Sequence, residues 1–354
     1  MNHIKRIAAG LEQQALDAML ISSAPGEFYA VGFHGEGYAI ITKDGCRYST
    51  DARYIEAAQK IEGAEIICIS PTKGHAEYAA ETVEAWNIRR LGIEDEYMSV
   101  QEYGKLRELM PGVEFVPASE YIAQLRAVKD EEELSLMRGA QDITDRAFTE
   151  ILNYLKPGVS EKEIAARLTY LQMSMGASVN SFDPIVASGP NGSMPHAIPS
   201  EKLIRSGEFV TLDFGCMFGG YCSDMTRTVC IGKPTEEMEK VYYTVLEAQK
   251  AGIELCRGGV IGSAVHNAAA DVIAKAGYGE YFGHGYGHSL GIEIHENPRA
   301  NAVNHKPIPT GAVLSAEPGI YIPGKFGVRI EDLIVYRENG YEDYTGSPKE
   351  LICL

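Results

Sequence analysis

Two aspartates flank a glycine pair within a run rich in apolar residues. Asp213 precedes Gly219-Gly220 and Asp224 follows it. A turn at the glycine pair is expected to place the two aspartates near opposing positions on one face of a hairpin. Facing carboxylates repel each other, so such a pair indicates a cation between them or a carboxyl group whose pKa is raised. The alternative is that each aspartate separately caps a turn or binds solvent.

A glycine-rich segment at residues 281–296 carries three of the nine histidines of the chain, His284, His288 and His295. Its glycines at positions 283, 285, 287 and 291 permit close backbone approach. Imidazole is a common metal ligand and the usual proton carrier near neutral pH. A single histidine is more often a core or surface residue, whereas three within twelve positions indicate a functional site.

Two glutamates each follow an apolar, strand-like run. Glu317 follows residues 313–316, and Glu331 follows residues 328–330. Either glutamate alone is explained by a salt bridge or by exposure, but a buried carboxylate needs a partner. Together with two aspartates and an imidazole, they make a set of hard oxygen donors and one nitrogen. Such a set suits Mn, Co, Fe or Zn rather than a soft metal held by thiolates.

The elements that must position these residues fall into two parts. In the first third, short apolar runs predict strands at residues 18–22, 38–42, 65–70, 90–94 and 113–117. Helical composition occurs at residues 51–60 and 76–88, and Lys43-Asp44-Gly45 predicts a hairpin turn. This part is a small α/β unit.

The second part begins near residue 125, where strand alternation gives way to a long helical pattern. Asp130 with Glu133 predicts a capping box at the start of one helix, and Ser160 with Glu163 caps the next. Strands and turns follow from residue 182, interrupted by predicted helices at about residues 235–256 and 262–276. We therefore expect an α/β domain at residues 1–125 and an α+β domain at residues 126–354.

Composition argues against several classes of function. The formal net charge of -17 repels nucleic-acid backbones and anionic membrane surfaces, so neither is an expected partner. Residues 1–23 lack the continuous apolar stretch of a signal peptide, and no run is long enough to span a bilayer. The seven cysteines are scattered without a Cys-x-x-Cys pair, which indicates reduced thiols. The expected location is the cytoplasm.

The motifs that carry chemistry resemble those of a known family. Five contexts occur in order: Leu-Asp-Phe-Gly, Ser-Asp-Met-Thr-Arg-Thr, Gly-His-Gly-Tyr-Gly-His, Glu-Pro-Gly and Arg-Ile-Glu-Asp. They contain Asp213, Asp224, His288, Glu317 and Glu331. This ordered set resembles the dinuclear site of the creatinase/aminopeptidase P family, which includes Xaa-Pro aminopeptidases and prolidases. Residues 185–191, Pro195-His196 and, in the first part, Gly32-Phe33 and residues 50–54 are also similar to that family.

The resemblance implies a fold and an activity. The fold is a pita-bread α+β catalytic domain with internal pseudo-twofold symmetry, behind an N-terminal domain used in dimerisation, and hence a homodimer. The activity is hydrolysis of the Xaa-Pro bond of short peptides, with release of the N-terminal residue. Proline requires a dedicated pocket because its imide bond lacks an N–H and fixes φ.

The resemblance also implies two divalent metal ions, with Mn expected first and Co, Zn or Fe as alternatives. Asp224 and Glu331 would bridge both ions, Asp213 would bind one, and His288 with Glu317 would bind the other. Such ions activate a water molecule and polarise the scissile carbonyl. Glu317 would also carry a proton from the water to the proline nitrogen.

Further residues match outer positions of the family's site. His196 and His295 would donate hydrogen bonds to the substrate carbonyl or to the oxyanion, and their alternative role is hydrogen-bond support of the metal ligands. His284 would close the pocket behind the proline ring. Phe182 and Tyr281 would line the same pocket, or would equally be core aromatic residues.

Two arginines complete the set of candidate substrate residues. Arg299 resembles the cation with which prolidases clamp the terminal carboxylate of a dipeptide, and a solvated surface arginine is the alternative. Arg329 is expected to orient a neighbouring carboxylate rather than to contact the substrate. Two rival functions on the same fold are a metal-free creatinase-type amidinohydrolase and a non-catalytic peptide-binding module, both of which should have lost metal ligands.

Overall fold

The computed structural model describes residues 2–354, and the chain divides into two compact units, Met1–Arg126 and Ala127–Leu354. The first unit is built on a six-stranded mixed sheet of order β4-β3-β2-β1-β5-β6. Its strands are β1 (Ala18–Ile21), β2 (Tyr38–Thr42), β3 (Cys46–Thr50), β4 (Glu65–Cys68), β5 (Arg90–Ile93) and β6 (Glu114–Pro117). Its helices are α1 (Ile4–Gly10), α2 (Ala24–Val31), α3 (Ile55–Ala58), α4 (His75–Ala85), α5 (Val100–Leu109) and α6 (Ser119–Ala127).

The predicted α/β character of the first unit is confirmed. All five predicted strands are present, and Thr42 donates its N–H to the Gly45 carbonyl at 2.8 Å across the predicted hairpin turn. The second strand of that hairpin, β3, was not among the predicted strands. The segment predicted to be helical at residues 51–60 forms only the single turn of α3.

The second unit contains two pairs of long helices, each followed by antiparallel strands. The helices are α7 (Glu131–Ile151), α8 (Glu161–Ser174), α9 (Glu236–Ile253) and α10 (Gly262–Lys275), with 3₁₀ turns at Gly189–Ser193 and Gly279–Tyr281. The strands after the first pair are β7 (Val179–Asn180), β8 (Ile185–Ser188), β9 (Glu208–Phe214), β10 (Cys216–Phe218), β11 (Tyr221–Cys222) and β12 (Met225–Ile231). Those after the second pair are β13 (Gly287–Ser289), β14 (Glu296–Ala300), β15 (Val313–Ala316), β16 (Gly319–Ile322), β17 (Phe326–Arg329), β18 (Asp332–Arg337) and β19 (Gly340–Asp343).

Each helix pair covers a sheet through an apolar cluster. Phe148 of α7 and Leu168 of α8 pack with Leu212 of β9, in the sheet of order β12-β9-β8. Val245 of α9 belongs to a second cluster with Leu314 of β15, in the sheet of order β14-β13-β15-β18-β19. The repeated arrangement agrees with the predicted pita-bread fold.

Helix starts follow the local sequence rules. The Asp130 carboxylate accepts hydrogen bonds from the N–H groups of residues 132 and 133, and the Ser160 hydroxyl accepts from Glu163. The carboxylates of Glu133 and Glu163 in turn accept hydrogen bonds from the backbone N–H groups of the two cap residues. Both predicted capping boxes are therefore confirmed.

The expected register of the two aspartates is wrong. The turn lies at Gly219-Gly220, whose φ angles are 57° and 85°, but Asp213 pairs with Thr226 rather than with Asp224. The centre of this turn is equidistant from positions 213 and 226, so Asp224 falls two residues short of the opposing position. It lies in the break between β11 and β12, where it is free of the ladder and still buried.

No helix within residues 2–354 combines the length and apolarity needed to cross a bilayer. The seven cysteines are free thiols, and five of them are buried.

Candidate metal centre

One cavity of the second unit gathers every residue that the sequence analysis selected. Its volume is about 1030 Å³, and its wall contains all five predicted metal ligands together with the seven outer residues. These residues are Phe182, His196, Asp213, Asp224, Tyr281, His284, His288, His295, Arg299, Glu317, Arg329 and Glu331.

Strands and strand ends position the five predicted ligands. Asp213 lies near the end of β9, His288 lies on β13, and Asp224 lies between β11 and β12. Glu317 follows β15 directly, and Glu331 lies between β17 and β18. The hydrogen-bonded strands fix the backbone positions of these residues. Their side chains can therefore converge on one point from different strands.

The ligand atoms are close together. His288 Nε2 lies 3.2 Å from Glu317 Oε1 and 3.7 Å from Asp224 Oδ2. Asp224, His288 and Glu331 each offer one ligand atom, and these three atoms lie within 4.8 Å of one another. The Nδ1 atom of His288 lies 3.2 Å from the Ser289 carbonyl, which can only accept, so Nδ1 donates and Nε2 faces the carboxylates.

Burial dominates the electrostatics of this cluster. It raises the pKa of Asp224 and of Glu331 well above their ordinary range, and the neighbouring carboxylates raise both further. Burial opposes both charges of the His288–Glu317 pair, yet their contact raises the pKa of His288 to about 9 and lowers that of Glu317 to about 2. Without a metal the cluster disfavours full ionisation, and cations bound among these oxygens would remove that penalty.

The residues fit a divalent metal centre. Asp213 is 8% exposed, and its Oδ1 atom accepts no hydrogen bond from any residue in the range 2–354. A buried carboxylate oxygen normally has a partner. Four carboxylates and one imidazole also form the hard donor set that Mn, Co, Fe and Zn accept.

Three supporting hydroxyl groups were missed. Thr226 donates to Glu331 Oε2 at 2.6 Å, and Ser315 donates to Glu317 Oε1 at 2.9 Å. Ser315 is two positions before Glu317, so strand alternation could have placed both on one face. The third hydroxyl, of Tyr321, lies four positions after Glu317.

Tyr321 connects an arginine to a histidine. Arg329 donates to Asp213 Oδ2 at 2.5 Å and to the Tyr321 hydroxyl at 2.8 Å. The Tyr321 oxygen lies 3.0 Å from His284 Nε2, and His284 Nδ1 lies 2.8 Å from the Gly285 carbonyl. Because Nδ1 must donate to that carbonyl and burial lowers the pKa of His284, the ring is neutral and its Nε2 accepts a hydrogen bond from the Tyr321 hydroxyl. The ring is therefore fixed at both nitrogens.

The remaining selected residues lie around the mouth and walls of the cavity. His295 and His196 are exposed, and the ring of His295 contacts that of His288 edge-on at 4.5 Å between centroids. Arg299 is exposed on β14, directly opposite His288 in the ladder. Phe182 and Tyr281 are half-buried.

Two helix-covered sheets that present buried carboxylates and an imidazole to one cavity define a metallohydrolase of the pita-bread type. Residues 135–338 match the model of metallopeptidase family M24, and residues 3–128 match that of the creatinase/prolidase N-terminal domain. The chain belongs to metallopeptidase family M24. The family predicted from the sequence motifs is thus confirmed.

Relatives of full length agree with this assignment. A Bacillus subtilis (strain 168) protein named uncharacterized peptidase YqhT is 43% identical over 344 residues, covering 97% of each chain. The solved Xaa-Pro dipeptidase from Bacillus anthracis superposes with a TM-score of 0.95 at 39% identity, covering 99% of each chain. An X-Pro aminopeptidase from Thermotoga maritima gives a TM-score of 0.92 at 34% identity, covering 97% of this chain and 99% of that one.

Proposed function

We propose that this protein is a metal-dependent peptidase that hydrolyses the Xaa-Pro bond of short peptides and releases the N-terminal residue. The observation that carries the proposal is the convergence of all five predicted ligands on one cavity that three histidines also line. Relatives named Xaa-Pro dipeptidase and X-Pro aminopeptidase, matched over nearly the whole chain, support the substrate class. The complete donor set speaks against the metal-free amidinohydrolase and against the non-catalytic binding module.

In this proposal residues 126–354 form the catalytic domain and residues 1–125 form the N-terminal domain. Asp213, Asp224, His288, Glu317 and Glu331 would hold two divalent ions. Mn is the expected metal, and Co, Zn or Fe are alternatives that the same donors accept. When bound, the ions supply Lewis acidity at the scissile carbonyl and a nucleophilic water at neutral pH.

Other side chains of the cavity would transfer the proton, stabilise the oxyanion and bind the proline ring. Glu317 would accept a proton from the attacking water and deliver it to the proline nitrogen as the bond breaks. His295 and His196 would donate hydrogen bonds to the carbonyl oxygen as negative charge develops on it. His284, held by Tyr321, would present a fixed ring face to the proline, and the half-buried aromatic rings would complete the apolar slot.

Arg299 would select dipeptides. It is exposed within the cavity wall on β14 and is paired in the ladder with His288 of β13, so it is anchored on the strand next to the one that carries a ligand. A terminal carboxylate directly after proline would form a charge-assisted pair with it. Arg329, engaged by Asp213 and Tyr321, would instead orient Asp213.

One assay tests both the metal dependence and the substrate class of the proposed activity. Hydrolysis of an Xaa-Pro dipeptide and of an Xaa-Pro tripeptide is measured with EDTA and then with added Mn, Co or Zn. We expect activity that EDTA abolishes and metal restores. Undiminished turnover in EDTA, or a purified protein that binds no metal, would refute the proposal.

The proposed contact between Arg299 and the dipeptide carboxylate is tested by Arg299→Ala. The matched control is Arg257→Ala, because Arg257 is an exposed arginine of the same unit that lies outside the cavity wall. We expect KM for the dipeptide to rise roughly 10- to 100-fold, because a charge-assisted hydrogen bond is lost. The tripeptide should change little. Unchanged dipeptide turnover would eliminate the clamp.

A homodimer in the cytoplasm completes the proposal. The homodimer is carried from the resemblance, and the free thiols suit a reducing compartment. Light scattering after size-exclusion chromatography tests the oligomeric state.

A further inference from the structure

A buried ammonium group lies behind the wall of the cavity. The side chain of Lys129 is 1% exposed, and its Nζ atom donates to Ser289 Oγ at 3.1 Å and to Glu296 Oε2 at 3.2 Å. The side chain of Glu296 is 5% exposed. A buried ion pair contributes little net stability compared with apolar packing. Its hydrogen bonds can instead hold the neighbouring backbone in one conformation, which apolar residues would not do.

The ion pair lies under the loop that joins β13 to β14, residues 290–295. Glu296 Oε1 accepts the Glu293 N–H at 3.1 Å, and the Gly291 N–H donates to the Glu293 carbonyl at 3.0 Å. A Cβ atom at Gly291 would lie 3.0 Å from both carboxylate oxygens of Glu296 and from Lys129 Cε. The loop is therefore folded tightly onto the pair and is secured to it by hydrogen bonds.

A histidine of the cavity lies close to each end of this loop. His288 immediately precedes Ser289, at a ladder irregularity between these two residues, and His295 immediately precedes Glu296. Lys129 thus donates to the two residues that adjoin the two histidines. The imidazole rings of these two histidines contact each other edge-on, with 4.5 Å between their centroids.

We propose that Lys129, through Ser289 and Glu296, is a positioning residue that sets His295 against His288 for the reaction. The inference rests on the proposed function of His295 as the donor to the developing oxyanion. Lys129 itself is buried and is not among the residues that line the cavity. Replacing it with methionine keeps the length of the side chain and deletes both hydrogen bonds.

The first experiment does not depend on activity. Hydrogen–deuterium exchange of the metal-free Lys129→Met protein should show amides of residues 290–296 exchanging about tenfold faster or more, because the Glu293 N–H and its neighbours lose a fixed acceptor. Lys202→Met is the matched control, since Lys202 likewise donates to a serine, Ser188, and to a glutamate, Glu208, away from the cavity. Exchange at residues 290–296 equal to that of the wild type would overturn the proposal.

The second experiment is a double-mutant cycle with the Mn-loaded enzyme and an Xaa-Pro dipeptide. We expect Lys129→Met to lower kcat roughly 10- to 100-fold with little change in KM or in bound metal, and Lys129→Arg to recover part of the loss. In a His295→Ala background, Lys129→Met should cost less than about threefold, because its effect passes through that imidazole. Effects of the two substitutions that simply multiply would overturn the proposal.

Two further outcomes are separable. If Lys129→Met does not fold, Glu296→Gln, which keeps the shape of the carboxylate, is taken through the same exchange and kinetic measurements with the same expectations. If the wild type does not cleave Xaa-Pro peptides, the proposed function fails, while the exchange experiment still decides whether Lys129 holds the loop.

Discussion

The substitution Asp224→Asn separates the metal-binding role of the cluster from its role in stability. Asp224 is 4% exposed and lies outside the strand ladder, so the amide can replace the carboxylate without disturbing the sheet. The change removes an ionisable carboxyl group, whose pKa is raised by burial in the metal-free protein, and keeps the shape of the side chain. It should therefore affect the metal-free protein and the metal-loaded protein in different ways.

The magnitude follows from the geometry. Asp224 and Glu331 offer ligand atoms within 4.8 Å of each other, a separation at which two ionised carboxylates repel by about 3.5 kcal/mol at an effective dielectric constant of about 20. Protonation relieves part of this repulsion in the metal-free protein, because the pKa of both groups is raised. The imidazole of His288, 3.7 Å from Asp224, offsets part of this repulsion when it is protonated. The metal-free variant should consequently be as stable as the wild type, or more stable by about 1–2 kcal/mol.

With metal bound, the wild type should be more stable than the variant. A ligand at 100 times its Kd stabilises a protein by about 2.7 kcal/mol, which corresponds to roughly 5–10 °C in Tm for a unit of this size. The wild type should show this increase when Mn is added to the apo protein. The variant should show less than about a third of it, because one of the five proposed ligands can no longer supply a negative charge.

The assay is thermal unfolding of EDTA-treated protein with and without Mn, alongside turnover of an Xaa-Pro dipeptide. Asp271→Asn, at an exposed aspartate of α10, is the matched control and should respond to Mn like the wild type. An Asp224→Asn protein that gains as much Tm as the wild type and still turns over substrate would refute the reasoning.

Three further substitutions test other parts of the site. Glu317→Gln should lower kcat by roughly 10²–10⁴ through loss of the proton carrier, measured by steady-state kinetics, and a loss below tenfold would contradict that role. Tyr321→Phe removes the oxygen that links Arg329 to His284, so urea denaturation should show a loss of about 1–3 kcal/mol, and an unchanged midpoint would argue against the link. Gly287→Ala would place a Cβ atom 1.9 Å from a backbone carbonyl oxygen of the neighbouring strand, so soluble expression should fall sharply. Normal expression and Tm would contradict that close approach.

Local sequence determined the elements of this protein. The capping boxes at Asp130 and Ser160 depend on contacts within four residues, and the apolar periodicities of strands and helices are equally local. The metal-ligand motifs could also be recognised in the sequence, since each consists of a few consecutive residues. The wrong register was an error of counting along the chain: Asp213 was expected opposite Asp224, although a turn centred on Gly219-Gly220 is equidistant from positions 213 and 226, and Asp213 pairs with Thr226.

Tertiary structure alone decided which groups meet. The link from Arg329 through Tyr321 to His284, and the pair that Lys129 forms with a glutamate 167 positions away, join segments whose separation no periodicity encodes. A hydrogen bond forms only within about 3 Å, and such distances between remote strands are set by how helices pack over sheets. The sequence therefore determined which polar and charged groups the protein contains, while the packing of helices over sheets determined which of these groups contact each other.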